Sequence, residues 1–115
     1  MGSFRLQRVA NLIRQEVSAM LLRGDIKDPR VNDMVIIAHV EVAGDLSHAK
    51  VRVSSFRPHE ELDKAVEGLN SAAGFLQAAL ARKMRLRLTP KLHFIADHSI
   101  EEAFKVTEKM KGFTS

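Results

Sequence analysis

Residues 26–56 read IKDPRVNDMVIIAHVEVAGDLSHAKVRVSSF, and their pattern decides the fold. Asp28-Pro29 predicts a turn or extended chain, because proline disfavours helix at the residue before it. Residues 33–43 predict a strand in which Met34, Ile36, Ala38, Val40 and Val42 share one face. Val35, Ile37, His39 and Glu41 then share the other. The segment 43–47 is a short connection in which Gly44 and Asp45 provide the tight turning. In residues 48–56, Ala49, Val51 and Val53 alternate with Lys50 and Arg52. The two strands are expected to pair as an antiparallel hairpin. A slip of one residue would bury Lys50 and Arg52, so the charges set the register.

Working outward, residues 5–23 predict a helix, with Val9, Leu12, Ile13, Val17, Met20 and Leu21 on one face. Gly24 stands where a glycine ends a helix. Residues 60–85 carry a second, longer helical pattern from Leu62 to Met84, interrupted by Gly68 and Gly74. A glycine inside a helix costs up to about 1 kcal/mol against alanine, so each needs a reason, either a kink or close packing. A kink at Ala72-Ala73-Gly74 is the expectation, with Gly74 the residue whose enlargement would damage helix packing. Thr89-Pro90 stops the run. Residues 91–96, KLHFIA, predict a third strand, and Ser99 with Glu102 forms a capping box for a last helix to about Lys111.

The order α-β-β-α-kink-α-β-α implies an α+β fold, a three-stranded mixed sheet with helices on one face. A right-handed crossover from the second strand to the third puts the helix pair on one side. The other side is left to His39, Glu41, Lys50, Arg52 and His93.

At 115 residues the chain is expected to be a single domain, 1–115. It contains no Cys, which excludes disulfides and thiolate metal sites. No apolar run approaches the roughly 20 residues of a membrane span, and no signal-peptide core follows Met1. A soluble cytoplasmic protein is expected.

The net charge of +4 is unevenly spread. Residues 82–91 hold Arg82, Lys83, Arg85, Arg87 and Lys91 without an acid, whereas residues 60–67 hold Glu60, Glu61, Asp63 and Glu67 against Lys64. One or two cations at a helix C-terminus are explained by the helix dipole. Four within six residues exceed that need and suggest phosphate contact. Arg5, Arg8 and Arg14 on the first helix, Lys27 and Arg30 at the turn, and Lys50 and Arg52 on the hairpin are further candidates. There is no Trp or Tyr, and of the six Phe only Phe4, Phe56 and Phe113 are expected outside the core. That favours reading of shape and phosphate over base stacking.

Catalytic patterns are missing. There is no GxxxxGK[ST] phosphate loop and no nucleophile-elbow context around Ser47, Ser54 or Ser55. The five His are dispersed; His39 and His93 could be neighbours, but a zinc site would need a further ligand, with Glu41 the only candidate. No enzyme activity, cofactor or metal is expected.

The element order is that of a type II KH domain with one added helix, and particular residues narrow the resemblance. Arg8-Val9-Ala10, Lys27-Asp28-Pro29-Arg30-Val31, Val40-Glu41-Val42 and Asp45-Leu46-Ser47 lead into Ala49-Lys50-Val51. Ser71-Ala72-Ala73-Gly74-Phe75-Leu76, Arg85-Leu86-Arg87-Leu88-Thr89-Pro90 and Asp97-His98-Ser99-Ile100 follow in order. Together they resemble the ribosome-binding factor A family over roughly Arg8 to Met110. Like that family, the chain lacks the GxxG backbone clamp of KH domains and has the Ala-x-Gly kink in its place.

The resemblance implies a bacterial ribosome biogenesis factor acting as a monomer. It would bind immature free 30S subunits and 16S rRNA near the 5′ region and neck, and assist late maturation and rRNA processing. A ribosome-associated GTPase would release it. Many members carry a longer charged tail than this sequence. The competing reading from the residues is a basic protein-interaction module that docks an acidic partner.

Overall fold

The computed structural model describes residues 2–31, 35–55, 59–84 and 89–99. The elements are α1 (Gly2–Arg23), β1 (Val35–Val42), β2 (His48–Ser55), α2 (His59–Ser71), α3 (Ala73–Met84) and β3 (Lys91–Ala96). The expected last helix lies outside the described residues. The sheet order is β1-β2-β3, with β1 and β2 antiparallel and β2 and β3 parallel. The crossover α2–α3 therefore joins parallel neighbours, as the helix pair between the strands required.

α1 ends in a Schellman motif. Gly24 takes φ 72°, its N–H donates to Leu21 O at 3.2 Å, and Asp25 N–H donates to Met20 O at 3.0 Å. Val9, Ile13, Val17 and Met20 form its buried stripe, which packs over β1 in one core with Val40, Val51 and Val53 of the hairpin. Leu62, Ala65 and Leu69 of α2, Leu76 and Leu80 of α3, and Leu92 and Phe94 of β3 complete one core. Ile13, Leu69, Leu76 and Leu80 are fully buried, and burial of such a side chain contributes about 1.5–3 kcal/mol.

The first strand corrects the simple alternation. Val35 and Ile37 are buried, while Ile36 and Ala38 are exposed. The pairing with β2 shifts between Ile37 and His39, which is a β-bulge at Ala38. The extra residue turns the phase over, so that Val40 faces the core with Val35 and Ile37. His39 and Glu41 remain outside, as expected.

The hairpin connection also differs in detail. Leu46, not Gly44, adopts the left-handed conformation, with φ 63°. Its N–H closes a turn on Ala43 O at 2.9 Å, and its side chain packs against the core. Ser47 donates from both N–H and Oγ to Asp45 Oδ1, at 3.1 and 2.6 Å, which holds the Asp45 carboxyl below its ordinary range.

The helix pair breaks at Ala72, as the sequence suggested. Ala72 N–H is shared between Gly68 O and Leu69 O, both at 3.1 Å, and α3 begins at Ala73. Close packing, however, constrains Gly68 and not Gly74. A Cβ at Gly74 meets nothing within 4 Å, whereas one at Gly68 comes within 3.0 Å of Val31 Cγ2 and 3.1 Å of Asp28 Cγ. Gly68 is where the Asp28-Pro29 turn seats on α2.

Candidate nucleic-acid interface

Burial of Ala49, Val51 and Val53 on β2 and of Leu92 and Phe94 on β3 sends His48, Lys50, Arg52, Lys91 and His93 to the other side of the sheet, which no described helix covers. The strand register then aligns them in rows. Glu41, Lys50 and His93 form one row; His39, Arg52 and Ile95 form the next; His48 lies beside Lys91. The open face thus carries Lys50, Arg52 and Lys91, three imidazoles, and Glu41 as the one acid in these rows.

Within it, Arg52 Nε donates to Glu41 Oε1 at 3.3 Å, and His39 Nε2 lies 3.8 Å from the same oxygen. His48 Nδ1 and His93 Nε2 are 3.0 Å apart with ring centroids at 5.1 Å, so one imidazole holds the proton that the other accepts. The expected neighbour of His93 was His39; the register instead pairs His93 with Lys50, puts Lys50 and Arg52 between β1 and β3, and leaves the His93 ring to meet that of His48 from the adjacent row. Among the described residues, no group of three or more His, Asp or Glu could hold a metal ion.

Among the described residues, the remaining candidates divide into unpaired and engaged cations. Arg5, Arg8 and Arg14 are exposed along α1, and Lys27 is exposed just before the turn. Arg82 is exposed in the last turn of α3, and its neighbour Lys83 lies 3.7 Å from Glu16 of α1. Arg85 and Arg87 lie outside the described residues.

Arg30 is held by the fold. Its Nε and Nη2 donate to the two oxygens of Asp28 at 3.0 and 2.6 Å, Nη2 also reaches Ser71 Oγ at 3.3 Å, and Glu67 lies 3.8 Å from Nη1. Asp28 additionally accepts Arg30 N–H at 2.9 Å, making the turn expected of an aspartate before proline. The Arg30 guanidinium, and then its main-chain N–H, lower the Asp28 pKa to about 2. At the far end of the sheet, Asp97 is lowered first by the Ser99 side chain and then by its N–H.

Residues 5–110 match the family described as Ribosome-binding factor A. The chain belongs to the ribosome-binding factor A family. A Ribosome-binding factor A from Treponema denticola is 44% identical over 112 residues, which cover 97% of this chain and 85% of the relative. The crystal structure of ribosome-binding factor A from Thermus thermophilus aligns with TM-score 0.65 and 27% identity, over 79% of this chain and 94% of that one. A homology model of the Thermus thermophilus factor, fitted into the cryo-electron-microscopy map of a 30S–RbfA complex, aligns with TM-score 0.53 and 32% identity, over 72% and 93%.

Sequence reasoning passed over several features of this ribosome-binding factor A fold. Phe75 was expected in the core but is 51% exposed; its place just after the helix break was the available signal. Phe4 is exposed as expected, at 83%. His48 gave no signal, because its partnership with His93 depends on a parallel pairing across 45 residues. Nor did Asn70 and Gln77, whose side-chain amides bond to the main chain of β3. No helix among the described residues is long and apolar enough to cross a membrane.

Proposed function

We propose that this chain is a ribosome biogenesis factor that binds immature free 30S subunits and their 16S rRNA, near the 5′ region and neck. There it assists late maturation and rRNA processing. The observation that carries the reading is the open sheet face, where Lys50, Arg52 and Lys91 stand on rigid strands among three histidines. Cations fixed on strands track phosphates without the entropic cost of ordering a loop. The Thermus relative's fit in a 30S complex supports the same partner.

Arg5, Arg8 and Arg14 extend the positive surface along α1, with Lys27 after it and Arg82 and Lys83 in the last turn of α3, and the sequence offers Arg85 and Arg87 as further phosphate contacts. Arg30 serves chiefly as the clamp of the Asp28 turn. The chain acts in the cytoplasm as a one-domain, non-catalytic monomer, and a ribosome-associated GTPase releases it.

Cosedimentation with small-subunit particles, combined with cross-link mapping on 16S rRNA, tests this. Migration with free 30S particles and cross-links near the neck are expected. Migration wholly apart from small-subunit particles would refute it.

A further inference from the structure

β1 and β3 are the two edges of the sheet, and the chain treats them differently. On β3, Leu92 N–H donates to Gln77 Oε1 at 3.0 Å, and Asn70 takes up both main-chain groups of Phe94. On β1, no described element forms a second ladder. Ala43 N–H donates to His48 O at 2.9 Å, which marks a hydrogen-bonded pair. Alternation then makes Glu41–Lys50 and His39–Arg52 hydrogen-bonded pairs. Val40 and Val42 consequently direct their main-chain N–H and C=O groups off the free edge.

They do so into a groove of about 240 Å³ between β1 and α1. Gln7, Asn11 and Arg14, at spacings of four and three, stand along its helical side, and Ala10 lies between them at the floor. Arg14 forms no ion pair with a described residue. The bulge at Ala38 sets His39 on the rim beside Val40. Bulges next to binding sites re-aim side chains in this way.

This combination matches one chemistry. An unpaired base offers adjacent donors and acceptors on its edge, which a strand edge and the amides of Asn and Gln can meet. Histidine can stack on its face, and an arginine can take the attached phosphate. The volume is below the roughly 300–1,000 Å³ of pockets for larger ligands, so it suits one base and not two. The bulge at Ala38 interrupts the open edge of β1 against a regular added peptide strand, and such a strand gains nothing from Arg14.

We propose that the α1–β1 groove receives a single unpaired RNA nucleotide, its base read by the free edge of Val40 and Val42 with Asn11 and Gln7, and its phosphate held by Arg14. This rests on the RNA-binding reading above and adds a site to it, on the edge opposite the one that Asn70 closes.

The test is an NMR titration of the full nitrogen-15-labelled chain with AMP, CMP, GMP and UMP, each compared with ribose 5-phosphate. At least one mononucleotide should move the Val40 and Val42 amide signals and the side-chain amides of Asn11 or Gln7, and ribose 5-phosphate should not. Asn11→Ala should weaken that response about fivefold or more, and Arg14→Ala should weaken it too, with the circular dichroism of both variants unchanged. An equal response to ribose 5-phosphate would reduce the site to anion contact and overturn the proposal. Silence of Val40 and Val42 with all four nucleotides overturns it, as does movement only with an extended Thr-Val hexapeptide, which would mean an added strand. Cosedimentation with small subunits, run in parallel, separates the two levels. A silent groove with binding intact sinks this inference alone, whereas loss of binding sinks the ribosomal reading.

Discussion

The side-chain amide of Asn70 does for Phe94 what a neighbouring strand would do: Nδ2 donates to Phe94 O at 3.0 Å, and Phe94 N–H donates to Oδ1 at 2.8 Å. With Gln77 accepting from Leu92 N–H, it closes the outer edge of β3 against pairing with other chains. Both residues flank the break at Ala72, so the helix pair is also pinned to the sheet there. Asn70→Asp keeps the shape but replaces the donor with a second acceptor facing Phe94 O. Leaving that carbonyl unsatisfied should cost about 1–3 kcal/mol, read as a lower urea midpoint. Asn70→Ala should in addition produce concentration-dependent association, measured by sedimentation velocity, because it bares the edge.

Gly68 and Gly74 separate the two reasons a helix accepts glycine. Gly68→Ala drives a methyl to 3.0 Å from Val31 Cγ2 and 3.1 Å from Asp28 Cγ, where the turn clamped by Arg30 resists movement. The overpacking, about 1–3 kcal/mol, outweighs a propensity gain of up to about 1 kcal/mol. Gly68→Ala should therefore be destabilising. Gly74→Ala meets open space at the start of α3 and should be neutral or stabilising by a few tenths of a kcal/mol. Chemical denaturation of the two variants side by side checks the pair. Equal effects would mean that the Asp28 turn is not seated on Gly68 in solution.

What could be read in advance followed from periodicity and punctuation. Val9, Ile13, Val17 and Met20 recur at helical spacing whatever surrounds them, and Gly24 and Pro90 mark ends through their own backbone chemistry. The third strand and the break at Ala72 were legible for the same reasons. The bulge was not, because residues 34–38 are apolar on both phases, so either set of side chains could face the core. Only the clash of that run with the polar phase at His39 and Glu41 hinted that a residue had to be absorbed. The candidate face was half legible. Lys50 and Arg52 announce themselves by alternation and His93 follows them from the fold class, but Lys91 and His48 join them only through a parallel pairing that no local pattern encodes. Arg30 looked like a free cation because its clamp on Asp28 is local in sequence but its contacts with Ser71 and Glu67 are not.

The acid limb of the stability curve should carry the mark of Asp28. Its folded pKa lies below the ordinary carboxylate value, at about 2 against 3.8, because Arg30 bonds the ionised form. A depressed carboxylate contributes stability that is present above the unfolded pKa and is lost as pH falls through the folded one. The loss therefore falls between about pH 4 and pH 2. Asp45 and Asp97 are shifted the same way and contribute to the same limb. Asp28→Asn should be less stable than the parent at neutral pH and should flatten part of that limb. Thermal melts from pH 5 to pH 2 measure it, and an unchanged slope would show that the Arg30 clamp does not form in solution.

The open sheet face makes a quantitative statement about salt. If about five cations contact phosphates, log K against log salt should fall with a slope near −4. Each cation removed should lessen the slope by about 0.7–0.9. Lys50, Arg52 and Lys91 are exposed or half-exposed on strands, so alanine there should leave the fold intact. The triple substitution K50A/R52A/K91A should bring the slope to about −1.5 in a filter-binding titration with 16S rRNA fragments. Arg52 carries a complication, because it is within 3.3 Å of Glu41 and that carboxylate is released when it goes. Arg52→Ala alone should for this reason weaken binding more than Lys50→Ala, and Glu41→Gln should recover part of the loss. If the triple variant keeps the parent slope, the phosphates are met elsewhere, and Arg82 with the exposed arginines of α1 becomes the surface to substitute next.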